Sequence, residues 1–399
     1  MTHGLAAQEL PVTNPDRVGL SAERLAHIGT VFQEHVDEGR IAGAMGMVIR
    51  NSQVAYQEEW GYRDLEARDP LEAGDLFRIY SMTKPITALA VMMLWEEGKF
   101  ALGDPIGRYI PELARLQVAK LEEGATIANL ETERPRRQVT IEDLLRHTSG
   151  LTYGIFSNTP VDSMYLSANL LGAKDLDEMM RGLGDIPLIA QPGARWIYSV
   201  STDVLGRLVE VVSGMPFDAF LRTRIFERLD MEDTGFYAPA EDHARLTRTY
   251  RHTDAQGTLA LGDTVTFVSP VTMFSGGGGL VSTARDYARF TQMVLNGGAL
   301  NGTRILGRKT VDFMRVDHLG DVEDPGTSNG FGLGFAVKES VNALLTSVGT
   351  FYWGGLHGTA FWIDPEEDLI GIFMIQIYPN RSTNFGQQFQ QLVYSALVG

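Results

Sequence analysis

Cysteine is missing altogether from the 399 residues of the chain. That absence excludes disulfides, thiol nucleophiles and thiolate metal sites, and it fits a reducing compartment, so a cytoplasmic location is expected. Histidine is sparse too. None of the eight stands four residues from another, so the helical zinc pair of a metallohydrolase is lacking, and neither a metal nor an organic cofactor is expected. Basic residues are outnumbered, 34 Lys and Arg against 50 Asp and Glu, and the resulting charge of −16 repels nucleic acid and anionic lipid. The longest strongly apolar run, Ile86 to Trp95, stops well short of a membrane span. The opening stretch MTHGLAAQELPVTNPDRVGL lacks a basic segment followed by an apolar core, so no secretion leader is expected there. Nucleic acid and membrane are therefore not expected partners.

What the chain does have is apolar residues in quantity, 44% of the total, enough to bury a substantial interior. Leu25, Ile28, Phe32 and Val36 make one helical stripe between a capping Ser21 and a terminating Gly39. AMGMVIR and QVAYQEEW then read as two strands joined at Asn51-Ser52, a hairpin signal. Towards the other end FGLGFAV, TAFWID and DLIGIFMIQIY are strand-like, and Asn384 to Val398 closes as a helix. These patterns predict an α+β fold of more than one domain, in which both chain ends build one antiparallel sheet flanked by helices. The middle shows helical patterns at Ile141–His147, Val204–Val212 and Ser282–Leu295, separated by loops rich in Gly, Pro and Asp. Residues 1–105 and 321–399 are accordingly expected to form a discontinuous α/β domain, and 106–320 a mostly helical insert.

One short stretch, FRIYSMTKPITALA from Phe77 to Ala90, does not fit a purely structural role. Pro85 suits only the first turn of a helix, so Ser81 lies at or next to a helix N-terminus, with Lys84 one turn on and Gly98 as the stop. The positive end of the helix dipole disfavours a cation there. A lysine acting as a base near neutrality must lose roughly 3 pKa units, and burial and that terminus both push in this direction. The same terminus stabilises negative charge on Ser81 and on an oxyanion beside it. S-x-x-K alone is a weak pattern, more readily a capping serine and a solvated lysine than a reaction centre. Tyr198, just before the capping residues Ser201 and Asp203, projects from a rigid loop, and by position alone, as one of 13 tyrosines, it reads as a core or surface residue.

Four segments in order carry a resemblance to a known family. Ser81-Met82-Thr83-Lys84 resembles the first motif of the serine β-lactamase and penicillin-binding protein superfamily. Leu144 to Leu151, LLRHTSGL, is similar to a signature of its class C-like branch, and Gln191 to Ser199, QPGARWIYS, to the stretch carrying its second-motif tyrosine. Trp353-Gly354-Gly355 resembles the third motif of family VIII carboxylesterases, where it stands in place of Lys-Thr-Gly. The resemblance implies a β-lactamase/transpeptidase-like fold and acyl transfer through Ser81, with Lys84 and Tyr198 as acid-base pair. It also implies an oxyanion hole of the backbone N–H groups of Ser81 and of Leu356 on the facing strand.

Departures from the superfamily pattern bear on substrate. Trp353 replaces the lysine that helps hold a substrate carboxylate, so a small neutral ester is the expected partner, bound against Trp353, Gly354 and Gly355. Tyr153, Phe156 and Trp196 read either as acyl-pocket walls or as core aromatics, and His357 either as a donor to a ligand or as a structural residue. His147 reads as structural, beside a tight Ser-Gly turn. The run Gly276 to Gly279 lacks a phosphate-loop register and reads as a tight turn into a helix, and an α/β-hydrolase elbow is not expected. A serine carboxylesterase is favoured over an acyltransferase or amide and β-lactam hydrolase on the same site, and over a binding protein with a relic site. Oligomeric state is not legible.

Overall fold

The computed structural model of the protein describes residues 9–263, 266–322, 329–341 and 345–399. Residues 1–8, which open the stretch expected to lack a leader, lie outside them. Among the described residues no helix is long and apolar enough to cross a membrane.

Eight strands form the main sheet: β1 (Gly43–Arg50), β2 (Gln53–Asp64), β3 (Asp69–Pro70), β4 (Gly330–Phe331), β5 (Ala336–Val337), β6 (Phe351–Gly354), β7 (Ala360–Asp364) and β8 (Leu369–Ile375). Their spatial order is β4-β5-β6-β7-β8-β1-β2-β3, and every neighbouring pair is antiparallel. The two ends of the chain meet at the β8–β1 seam, from Ala44 opposite Ile375 to Arg50 opposite Leu369. The expected sheet built from both ends is thus present. Asn51 and Ser52 join β1 to β2 with φ of 51° and 59°, the left-handed pair that a two-residue hairpin turn requires.

The terminal strands are apolar without alternation because both sheet faces are covered. Five helices matter here: α1 (Ala22–Asp37), α2 (Thr83–Glu96), α3 (Ser201–Ser213), α4 (Ala284–Leu295) and α5 (Phe385–Ser395). On one face Ala44 and Val48 pack with Phe32 of α1 and Phe389 of α5. On the other, Met45, Met47 and Ile49 join one continuous core with Leu89 of α2, Val204 of α3 and Tyr287 of α4. The expected cap holds α1, where Ser21 accepts from the Arg24 N–H at 3.2 Å, and Asn384 caps α5 in the same way, accepting from the Gln387 N–H at 3.2 Å.

Two local expectations need correction. FGLGFAV is not one strand but the hairpin β4–β5, bent at Gly334 with φ 94°, where an added Cβ would meet Ala88 on α2. Ser201 and Asp203 do not cap α3. Its first turn has no side-chain cap, and Asp203 turns inward to a different task described below.

Candidate active site

Ser81 sits in the short 3-10 turn Tyr80–Met82 that runs directly into α2. Every residue of α2 from Thr83 to Leu94 is buried, so the helix is the centre of the core rather than a surface element, and it fixes what it carries. The turn is pinned from several sides. The Ile79 N–H donates to Leu280 O at 3.0 Å, the Leu280 N–H to Thr83 Oγ1 at 3.2 Å, and the Tyr287 hydroxyl to Met82 O at 3.0 Å. Tyr80 holds a left-handed φ of 41°, with its ring against His357 and Phe267 at centroid distances of 4.4 and 5.6 Å. The end of β6 crosses so closely that a Cβ on Gly355 would lie 2.5 Å from Ile79 O, which makes a side chain there prohibitive.

Lys84 is 1% exposed. Its ammonium nitrogen donates to Gly277 O at 2.6 Å and to Ser81 Oγ at 3.2 Å, and stands 4.5 Å from the centre of the Tyr198 ring. The Tyr198 hydroxyl donates to Ser81 Oγ at 2.7 Å. One serine oxygen therefore accepts from two groups, one on the helix its own turn runs into and one 117 residues further along the chain. The loop carrying Tyr198 is bound to LLRHTSGL through its backbone: Ile197 N–H donates to His147 O at 2.8 Å and Gly193 N–H to Thr148 O at 2.7 Å. The hydroxyls of Ser149, Ser201 and Ser199 form a buried chain with 2.8 Å steps beneath it. The Tyr198 ring packs among His147, Trp196 and Trp353.

Two participants escaped the sequence reading. Asp203, fully buried, accepts from the Ser275 hydroxyl at 2.5 Å and from the Gly277 N–H at 3.1 Å. It thereby aims the Gly277 carbonyl at Lys84. A Cβ on Gly277 would lie 2.6 Å from the Asp203 carboxylate and 2.8 Å from the Tyr153 hydroxyl, so the glycine run is required by close approach behind the lysine. The four consecutive glycines were the available signal.

Burial dominates the electrostatics. It pushes the Asp203 carboxyl up, although the Ser275 hydroxyl, Lys84 and the Gly277 N–H pull the other way. It raises the Tyr153 phenol well above its usual range, with Tyr198 and Asp203 adding to the shift. It lowers the His147 imidazole well below its usual range, helped by Lys84. His357 is lowered to about 4 by burial first and by Arg78 second.

The His357 shift has a measurable consequence. The unfolded chain takes up this proton as pH falls below 6.5, whereas the folded protein resists until about 4, so stability drains away across that window. Comparing urea unfolding at the two ends of the window, His357→Gln is expected to remove a pH-dependent loss on the order of 3 kcal/mol that the wild type shows.

A cavity of about 640 Å³ is lined among others by Phe156, Ile189, Arg195, Trp196, Trp353 and Tyr198, whose hydroxyl reaches Ser81. Trp353, Trp196 and Phe156 are thus walls of this space. Tyr153 and His357 are not. Tyr153 packs behind Tyr198 at 5.2 Å, and His357 is closed between Tyr80 and Tyr378. Gly354 ends β6, and Leu356 lies in the turn after it rather than on the strand, its N–H making no hydrogen bond among the described residues. No cluster of His, Asp or Glu among the described residues has metal-binding geometry. The pattern G-x-S-x-G does occur once, at Gly326–Gly330, with 326–328 outside the described residues. It leads into the antiparallel strand β4, whereas a hydrolase elbow leads into a helix.

Comparison with known proteins shows what the whole chain is similar to. Protein Rv1367c of Mycobacterium tuberculosis is 38% identical over 369 residues, covering 88% of this chain and 90% of its own. Esterase EstB of Burkholderia gladioli is 32% identical over 373 residues, with coverage of 88% and 90%. The solved structure of EstCE1, described as a hydrolase with promiscuous acyltransferase activity, superposes with a TM-score of 0.76 at 26% identity, over 94% of this chain and 99% of that one. The family model named Beta-lactamase matches residues 28–393, and the chain belongs to that family.

Proposed function

We propose that the protein is a serine carboxylesterase acting on neutral, short-chain esters through an acyl-enzyme on Ser81. The observation that carries this reading is the position of Ser81 Oγ, within hydrogen-bond reach of Lys84 and of Tyr198, which lines a cavity walled by Trp353. Ser81 attacks the ester carbonyl carbon, and its proton passes to the Tyr198/Lys84 pair. The backbone N–H groups of Ser81 and Leu356 receive the oxyanion. Collapse of the tetrahedral species breaks the bond to the alcohol oxygen, which leaves with the proton held by the pair. Water then enters, gives a proton to the same pair, attacks the acyl carbon, and the carboxylic acid departs as Ser81 is reprotonated.

The indole of Trp353 offers no charge to a carboxylate beside the scissile bond, which supports an ester over a β-lactam. EstB carries the esterase name and EstCE1 is described with acyl transfer beside hydrolysis, so an alcohol taking the place of water is the second reading. The test offers p-nitrophenyl acetate, butyrate and octanoate alongside nitrocefin. Turnover of the acetate and butyrate well above that of nitrocefin is expected. Cleavage of nitrocefin with every ester left intact would overturn the assignment.

A further inference from the structure

We infer that the cavity lined by Tyr198 also binds a carboxylate through Arg195, so that among esters the enzyme prefers those carrying one negative charge away from the scissile bond. The inference rests on the esterase reading and departs from it on charge: the ester group beside Trp353 stays neutral, while a carboxylate elsewhere on the substrate meets Arg195. Arg195 is the one charged residue among those lining the cavity, whose other walls are aromatic, aliphatic and hydroxyl side chains. It lies on the second-motif loop, three residues before Tyr198, and not on β6, where Trp353 stands.

Arg195 is exposed, and among the described residues its guanidinium has little to bind but solvent. It makes no ion pair among the described residues, and its single hydrogen bond, to the Ile189 carbonyl, is long at 3.5 Å. Acidic groups outnumber basic ones 50 to 34 in this chain, and Arg137, which lies against Gly193 of the same loop, is paired with Asp143. A free arginine in the wall of an otherwise uncharged cavity leaves its planar fork of donors to whatever enters. A single guanidinium matches a single carboxylate in bidentate geometry. A phosphate monoester, with close to two charges, would lack a second cation. The volume of about 640 Å³ leaves room for such a tail beyond the reacting ester.

The carboxylate can belong to the acyl part or to the alcohol part, and the experiment separates them. In the acyl arm, kcat/KM is measured for mono-p-nitrophenyl glutarate and for p-nitrophenyl hexanoate. In the alcohol arm, the butyrate ester of gamma-hydroxybutyrate is compared with pentyl butyrate by pH-stat. The wild type is expected to favour the charged member in one arm by roughly tenfold, and the ratio to shrink as salt rises from about 0.02 to about 0.5 M. Arg195→Gln is expected to collapse the charged-to-neutral ratio, and Arg195→Lys to restore part of it. Equal ratios in wild type and Arg195→Gln in both arms overturn the inference while leaving the esterase reading in place. Failure to cleave any of the four esters overturns the esterase reading itself.

Discussion

Ser81→Ala is expected to lower ester turnover by a factor on the order of 10⁵, because without the hydroxyl no covalent intermediate forms and only binding and the oxyanion donors remain. The loss falls on kcat, since the cavity walls Trp196 and Trp353 are untouched. The substitution removes one oxygen that accepts from Tyr198 and Lys84, while Lys84 keeps its bond to Gly277 O and Tyr198 still faces the cavity. Folding is therefore expected to survive. Thermal unfolding by circular dichroism, run beside a p-nitrophenyl butyrate assay, checks both halves: a midpoint within a few degrees of wild type and activity at background.

The second large effect concerns the proton path. Tyr198→Phe keeps the ring among His147, Trp196 and Trp353 and removes only the hydroxyl 2.7 Å from Ser81. Lys84→Met keeps a chain of similar length and removes the donor to Gly277 O. Each is expected to cost about 10³-fold in kcat with a much smaller change in KM. The double variant is expected to lose far less than the product of the two, because the groups serve one proton through one serine oxygen. Multiplicative losses in the double variant would mean that Lys84 and Tyr198 act in separate steps. The Lys84 variant also leaves the Gly277 carbonyl without its partner and Asp203 without a nearby cation, so it is expected to be the less stable of the two.

The parts of this site that were legible in the sequence are those written in local order. Ser81 and Lys84 are one helical turn apart ahead of Pro85, a weak pattern alone that took its meaning from LLRHTSGL, QPGARWIYS and Trp353-Gly354-Gly355 following in order. The strands at both ends were legible because burial on two faces gives uninterrupted apolar runs, as in β1 and β8. What stayed hidden depends on contacts across the chain. Asp203 reads as a helix cap by position and becomes a buried anchor only because the Gly276–Gly279 turn arrives beside it. His357 read either as a donor to a ligand or as structural, and the rings of Tyr80 and Tyr378 that close over it favour the second. Leu356 was placed on a strand, but β6 ends at Gly354 and the chain turns there, with Gly355 pressed against Ile79. The β4–β5 hairpin was read as one strand because its apolar pattern continues through a bend that only Gly334, packed on Ala88, makes possible.

The central claim is that an acyl group resides on Ser81 during turnover. Mixing enzyme with excess p-nitrophenyl butyrate, quenching in acid within the first turnover and digesting for mass spectrometry tests it directly. The account predicts one butyryl group on the peptide containing Ser81, and none on that peptide from Ser81→Ala. A butyryl group on another residue, with Ser81→Ala still releasing p-nitrophenol at the wild-type rate, would contradict it.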